Sequence, residues 1–261
     1  GRLALVLTAG ERLSFTVARD GETLVAPSEM ALTLSTGEVL GESPRVRSAR
    51  RRAVNETIDA PLYRQSRFDA AYNELDLRLR GDYGVLARAY DDGVCYRFYT
   101  ERDGELTIVD ETAQLNFEGD PSAYIPYSKT KIPMRTSFEN TYEYAPLSKF
   151  RTQTVAFMPV LVDLGERGYV LYTESDVEAY PGVYLTYDKE ARGFAARFAE
   201  YPTETSLTKR FQDVVERSAD YIARVDGRRS YPWRIVAYAA TVTELPVNDM
   251  VWQTAEASRV A

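Results

Sequence analysis

Hydrophobic and polar residues alternate along much of the chain, which is typical of β-strands that turn one face to a core. In residues 12–18, for example, Leu13, Phe15 and Val17 fall on one side of an extended chain. The same period of two recurs in three further segments, namely residues 74–80, 94–99 and 168–173. We therefore predict a half-buried strand in each of these segments.

Other segments extend the prediction of a β-rich fold. Continuous apolar runs at 154–164 and 234–240 indicate strands buried on both faces. Residues 210–224 fit either a helix or an extended chain, and residues 243–254 read as a turn and a short apolar stretch. Strong turn dipeptides separate the runs: Asp20-Gly21, Asp92-Gly93, Asp103-Gly104 and Pro181-Gly182. Many strands, frequent turns and few helices predict a large all-β sandwich.

Two segments depart from this alternation. Residues 46–52 form a basic run, which we interpret as a solvated edge strand or loop, since positive charge on an edge deters pairing with other sheets. Residues 118–153 contain four prolines and many tyrosines and serines, and they predict a long surface excursion.

The composition of the 261-residue chain narrows the chemistry that it can perform. The chain has no histidine, which excludes a Ser-His-Asp triad, a Cys-His pair, a His-ligated zinc ion and a histidine general base within it. The single cysteine, Cys95, excludes an internal disulfide and a cysteine-cluster metal site. The net charge of -7 argues weakly against a nucleic-acid partner. No apolar run approaches the roughly 18 residues of a membrane helix.

An acidic segment at 172–182 follows one of the apolar strands. Its carboxylates Glu174, Asp176 and Glu178 alternate, so an extended chain would place them on one face. Three carboxylates at a strand end are candidate oxygen ligands for a hard cation such as calcium. A solvated transition from strand to turn explains the same spacing.

Two further segments carry candidate chemistry. In residues 90–99 a hairpin turn leads into an aromatic strand, where Arg88 or Arg97 could pair with Asp91 or Asp92 and where Cys95 reads as a buried small hydrophobe. Residues 137–150 interleave aromatic and polar side chains. Aromatic rings of this kind bind sugars by stacking on them. They equally serve to pack a loop onto a sheet.

Four motifs occur in a specific order: YNEL at 72–75, RAYDDGVCYRF at 88–98, ESDVEAYPGVYLT at 174–186 and PWRI at 232–235. This series resembles the N-terminal domain of glycoside hydrolase family 97, the bacterial α-glucosidases and α-galactosidases of the Bacteroides starch-utilisation type. The resemblance spans nearly the whole chain. It implies that residues 1–261 form a single β-supersandwich similar to galactose mutarotase. It also implies that the catalytic (β/α)₈ barrel, which needs about 250 further residues, is absent from this chain.

The resemblance implies roles as well as a fold. No catalytic residue is expected in this chain, because the family's catalytic groups lie on the barrel, and the chain alone is expected to be inactive. Glu174 matches the family's calcium-binding glutamate, while Asp176 and Tyr180 in the same motif are candidate substrate-binding residues. Calcium is expected in the full-length enzyme and not in this chain alone, since one glutamate cannot supply 6–8 oxygen ligands. The implied location is the periplasm.

The partners that follow are the protein's own C-terminal barrel and an oligosaccharide with α-linked glucose or galactose, with no nucleic acid and no membrane span. One alternative is a free-standing carbohydrate-binding β-sandwich, suggested by the aromatic segment 118–153. Another is a domain that only mediates assembly, because an uncovered apolar face would drive self-association near the C-terminal strand. A mutarotase-like epimerase is disfavoured, since that chemistry uses a histidine.

Overall fold

The chain folds into β-strands over most of its length in the computed structural model, which describes residues 2–60, 63–129, 134, 140–209 and 213–256. The strands in these ranges are Leu3–Ala9 (β1), Leu13–Arg19 (β2), Glu22–Leu34 (β3), Val39–Leu40 (β4), Val46–Asp59 (β5), Arg67–Leu79 (β6), Tyr83–Ala89 (β7), Gly93–Asn116 (β8), Ser122–Ile125 (β9), Glu143–Pro146 (β10), Val160–Asp163 (β11), Tyr169–Ser175 (β12), Tyr184–Asp188 (β13), Gly193–Arg197 (β14), Pro202–Leu207 (β15), Asp213–Ser218 (β16), Ala223–Ser230 (β17) and Trp233–Ala239 (β18). Helical structure in the same ranges is limited to 3₁₀ segments at Leu147–Lys149, Gly165–Arg167 and Val242–Val247 and to the α-helix Met250–Thr254 (α1). The all-β prediction is confirmed.

Antiparallel pairing joins all of these strands except β15 and β16 into one continuous sheet. Its main path runs β1-β2-β3-β8-β18-β12-β11-β9-β10, and β15 and β16 form a separate hairpin. The sheet wraps around a single large apolar core, to which β2 contributes Phe15 and β8 contributes Tyr96, with ring centroids 4.9 Å apart. We refer to the side of β8, β12 and β18 that faces this core as the inner face.

Strand β8 connects the two halves of the sheet because it is 24 residues long. Its first half pairs with β7 and β18, and its second half pairs with β3 and β14. Period-two alternation therefore sorts its side chains between two environments: Tyr96 and Phe98 enter the large core, whereas Cys95 and Arg97 point to the opposite, outer face.

A second apolar cluster lies on the outer face, where α1 packs on β12 and β18. Its members are Ala70, Tyr72, Tyr90, Cys95, Trp233, Ile235, Ala237 and Met250. A protruding ribbon formed by β5 and β6 also contributes to this cluster, and its tip returns to the C-terminal segment. There Asp249 accepts hydrogen bonds from Tyr63 Oη and Arg64 Nη2, both at 2.7 Å. The ring of Tyr63 stacks on Trp252 at 4.3 Å.

The strands predicted from alternation are confirmed, as β2 and within β6, β8 and β12. The run at 234–240 is buried on both faces as β18, and the basic run at 46–52 lies in β5, which pairs with β6 alone in the described part of the chain. Cys95 is buried, as predicted. Among the described residues, no helix has the length and apolar character needed to cross a membrane.

Two expectations need correction, and one alternative that the sequence left open is resolved. Only Val160–Asp163 of the run 154–164 is a strand, and the residues before it include bends at Thr154 and Met158. Residues 213–218 and 223–230 are extended, which settles the described part of 210–224 in favour of strands. The segment 118–153 is more than a surface excursion: β9 and β10 extend the sheet, and Tyr127 and Phe150 are buried. Residues 130–133, 135–139 and 210–212 lie outside the described residues.

Candidate functional site

The acidic segment 172–182 begins in β12, where Glu174 lies on the inner face. Strand pairing places Glu174 directly opposite Arg234 of β18, and Arg234 lies opposite Tyr96 of β8. Directly opposed residues in an antiparallel pair share one face. A carboxylate and a guanidinium are therefore aligned across neighbouring strands inside the sandwich.

Arg234 links two carboxylates into a buried triad, Glu111–Arg234–Glu174. Its Nε and Nη2 atoms donate to the two oxygens of Glu111 at 2.8 and 2.7 Å, which is a bidentate pair. Its Nη1 atom donates to Glu174 Oε2 at 2.5 Å, and the backbone N–H of Val183 donates to Glu174 Oε1 at 3.0 Å. Glu174 is the most exposed member of the triad, with a side-chain exposure of 13% against 4% for Glu111 and 1% for Arg234. Glu174 is thus its open end.

Burial and ion pairing oppose each other in the triad. Burial raises the pKa of Glu174 above the ordinary glutamate value, while the nearby Arg234 charge acts in the opposite direction. Burial also works against the charge of Arg234, yet Glu111 and Glu174 together raise the pKa of its guanidinium well above the usual value. Counted as formal charges, two carboxylates and one guanidinium give the triad a charge of -1.

A small pocket gives Glu174 access to the surface. The pocket holds about 290 Å³, and its walls include Met158, Pro181 and Tyr184. Among the described residues that line it, Glu174 is the one with a charged side chain. The turn at Pro181-Gly182 forms part of the rim, because Glu174 binds the backbone of the residue that follows it.

Glu174, Asp176 and Glu178 do not share a face, because the segment changes from strand to turn between them. The strand ends at Ser175, and Asp176 has a left-handed backbone with φ of 59°, which breaks the alternation. Asp176 therefore turns to the outer face, where Arg97 Nη1 donates to its Oδ2 at 2.9 Å, and Glu178 is exposed. Within the described ranges, no group of three or more Asp, Glu or Cys side chains is arranged to hold a metal ion.

Asp176 borders a second surface pocket, of about 430 Å³, that Arg228 and Arg229 also line. Burial raises the pKa of Asp176 and lowers the pKa of Arg97, and the attraction between the two groups opposes both shifts. This pocket has an acidic and a basic wall, which suits a polar, uncharged ligand as well as an ionic one.

Tyr180 lies in the core and not at the surface. It is 8% exposed, and its ring packs edge-on against Phe198 and Tyr231, with centroids 6.1 and 5.6 Å away. The structure thus places the three predicted site residues in three environments: Glu174 in the inner-face triad, Asp176 on the outer face and Tyr180 in the core.

The arginines of the motif at 88–98 have other partners than predicted. Arg88 pairs with the buried Glu74 at 2.9 Å and Arg97 with Asp176, so neither contacts Asp91 or Asp92. Both guanidinium groups lie against the Trp233 ring, at 4.7 and 4.6 Å from its centroid. The motif therefore organises the outer face.

Sequence reasoning missed Glu111 and Arg234. Arg234 does give a signal, since it is a charged residue within the buried run 234–240, and such a residue needs a partner. Glu111 gives none, because it lies 123 positions away in an ordinary alternating strand.

Comparisons with known proteins agree with this architecture. A family model described as Glycosyl-hydrolase 97 N-terminal matches residues 1–256. A curated retaining alpha-galactosidase from Bacteroides thetaiotaomicron is 35% identical over 269 residues, which cover 100% of this chain and 41% of that protein. The chain therefore spans less than half the length of this relative.

Solved structures show the same fold. A glycoside hydrolase family 97 enzyme from Pseudoalteromonas sp. strain K8, in complex with acarbose, superposes with a TM-score of 0.81 at 14% identity, over 99% of this chain and 37% of that one. A beta-arabinopyranosidase matches with a TM-score of 0.74 at 18% identity, over 92% of this chain and 38% of that one. Because the family model matches almost the whole length of this chain, the chain belongs to the N-terminal domain family of glycoside hydrolase family 97.

Proposed function

We propose that the chain is the non-catalytic N-terminal domain of an exo-acting α-glycosidase of the periplasm. In this proposal the sandwich buttresses a catalytic (β/α)₈ barrel, forms one wall of the sugar pocket and supplies Glu174 to a calcium ion. The substrate is an oligosaccharide that ends in α-linked glucose or galactose. Two findings support the proposal. The chain belongs to the N-terminal domain family, and it matches only 41% of the curated relative.

The observation that carries the calcium role is the position of Glu174 at the open end of a triad with one surplus negative charge. Its carboxylate lines a pocket and accepts one hydrogen bond on each oxygen, which leaves lone pairs for a cation. The residues fit a single ligand and not a complete site, so the other oxygens would come from elsewhere in the protein or from water. When bound, the ion supplies positive charge beside the sugar pocket.

Replacement of Glu174 by Gln in the complete protein tests this role. We expect calcium affinity, measured by titration calorimetry, to fall by about tenfold or more, because ligand charge sets calcium affinity. Glu178→Gln is the matched control, since Glu178 is an exposed glutamate of the same segment and should leave affinity unchanged. Equal calcium affinity in the Glu174→Gln variant and the unmodified protein would rule out the ligand assignment.

The C-terminal segment offers a surface on which the rest of the protein can pack. Val247, Val251 and Trp252 expose 59%, 40% and 38% of their area around α1. Exposed apolar patches of this kind mark interaction surfaces. The same patch is the surface through which we expect the chain to self-associate when it is produced alone.

Contacts of Asp176 and Tyr180 with sugar stay predictions. Asp176 presents a carboxylate at the edge of an open pocket, so it is suited to accept hydrogen bonds from sugar hydroxyls. Tyr180 supports the same segment from beneath, because its ring fills the core between Phe198 and Tyr231.

A pair of surface tyrosines favours a second candidate function, carbohydrate binding by the sandwich itself. Tyr124 of β9 and Tyr144 of β10 are direct cross-strand neighbours, with ring centroids 4.6 Å apart. Tyr144 is 54% exposed, and its hydroxyl donates to Asp163 Oδ2 at 2.9 Å, which holds the ring along the sheet. Fixed aromatic rings beside a carboxylate combine a stacking surface with a hydrogen-bond acceptor for a sugar.

Alanine substitution of Tyr124 and Tyr144 tests this second candidate. If the sandwich binds carbohydrate here, titration of the chain with maltooligosaccharides should give saturable heat with a dissociation constant below the millimolar range, and the double variant should lose it. Tyr201→Ala is the control, since Tyr201 also stacks on a neighbouring tyrosine, Tyr221, at another surface. Absence of binding across glucans and galactans would exclude this function.

A further inference from the structure

Glu111 holds the arginine that in turn holds Glu174. We infer that Glu111 is a positioning residue for the Glu174 carboxylate and controls how strongly that carboxylate binds a cation, an inference that rests on the function proposed above. Glu111 has 4% side-chain exposure, so it does not itself reach the pocket. Its effect on the orientation of Glu174 passes through Arg234, which contacts both carboxylates.

The geometry fixes Arg234 from three sides. The bidentate pair with Glu111 sets the plane of the guanidinium, and the Phe198 ring lies 5.5 Å from its central carbon. The remaining Nη1 atom is then aimed at Glu174 Oε2. Because Val183 holds the other oxygen, the orientation of the Glu174 carboxylate depends on two donors, and Glu111 controls one of them.

Charge gives a second, independent reason. Glu111 takes two of the three donating nitrogens of Arg234 and so shares the positive charge that would otherwise neutralise Glu174 alone. The triad keeps one surplus negative charge, and burying an uncompensated charge is costly. A cation at the open end of the triad removes that cost. Without the Glu111 charge, Arg234 and Glu174 form a neutral pair with less attraction for a cation.

The opposite face of the sheet supplies a matched comparison. Glu74 also has 4% side-chain exposure and also sits between arginines, at 2.6 Å from Arg52 and 2.9 Å from Arg88. It lies on the outer face, across the sheet from Glu174. Loss of its charge should disturb the fold much as loss of the Glu111 charge does, without reaching Glu174.

The test measures calcium affinity of the complete protein by titration calorimetry for the unmodified form and for Glu111→Gln, Glu111→Asp, Glu74→Gln and Glu174→Gln. We expect Glu111→Gln to weaken calcium binding by about tenfold or more, as substitutions of residues that orient a metal ligand commonly do. Glu111→Asp keeps the charge and loses the bidentate geometry. Its calcium affinity should therefore lie between those of the unmodified protein and Glu111→Gln. Glu74→Gln should bind calcium as the unmodified protein does.

The two proposals fail in different ways. If Glu174→Gln weakens calcium binding while Glu111→Gln behaves like Glu74→Gln, Glu174 is a ligand and the positioning role of Glu111 is wrong. If Glu174→Gln has no effect, the ligand assignment fails and the positioning role fails with it. Urea unfolding of each variant at the same pH checks that the chain is folded. If Glu111→Gln does not fold, the calcium affinity of Glu111→Asp tests the positioning role instead.

Discussion

Replacement of Arg234 by Met should lower the free energy of unfolding at pH 7 by about 3–5 kcal/mol, the cost of breaking a buried ion pair. The substitution removes the only cation of the triad and leaves the Glu111 and Glu174 carboxylates facing each other in a buried site. Met has a similar volume and no charge, so the loss reflects uncompensated charge more than a cavity. Urea unfolding gives the value directly.

The pH dependence of this variant has a definite sign. Burial already raises the pKa of Glu174 in the folded protein, and without Arg234 nothing on the triad opposes that shift. A carboxyl group with a raised folded pKa holds its proton more tightly when folded, so stability increases as the pH falls. The deficit of the variant should therefore shrink between pH 7 and the ordinary glutamate pKa of 4.5. A deficit that is constant over this range would contradict the charge explanation.

An exposed arginine serves as the control for this experiment. Arg228 pairs with Asp103 at 2.6 Å, and both side chains are largely exposed. Exposed ion pairs contribute little because water screens them. Arg228→Met should therefore unfold at the same urea concentration as the unmodified chain.

Replacement of Trp233 by Ala should cost about 3–5 kcal/mol, the usual range for a buried aromatic residue. The Trp233 side chain is almost completely buried, and its loss would also remove the ring on which Arg88 and Arg97 lie. Trp233→Phe keeps an aromatic face, so its free energy of unfolding should fall markedly less than that of Trp233→Ala. Urea unfolding of the two variants separates the contribution of the ring from that of the volume it fills.

Tryptophan fluorescence provides a second readout for the same variant. The chain has two tryptophans, and Trp252 is 38% exposed. Folded Trp233→Ala should therefore emit at longer wavelength than the unmodified chain and be quenched readily by acrylamide. Emission that keeps the buried character would show that Trp252, and not Trp233, is the shielded ring.

The alternation of side chains was sufficient to predict most of the central strands, because a strand with one face on a core must repeat every two residues. Alternation did not predict strands whose formation depends on contacts with distant segments. Residues 213–218, for instance, have no clear period of two, and they pair with β15 as a separate hairpin.

The candidate site was predictable only in part. The motif at 174–186 identified Glu174, but local spacing suggested a cluster with Asp176 and Glu178 that a single left-handed residue prevents. The actual partners come from β8 and β18, and which face each residue occupies depends on register across three strands. Register between distant strands is a property of the folded sheet, so spacing along the chain could not supply it.

The position of Met250 has a consequence for how the protein is made. Met250 fills the outer cluster beside Cys95 and Ile235, although it lies beyond the last strand of the sheet. A nascent chain that has emerged only as far as Ala239 contains every described strand and still lacks this side chain. The outer cluster then remains open during synthesis, until residues 240–250 have emerged and folded back onto the sheet. The outer cluster is thus completed only after the residues that follow the last strand have been synthesised.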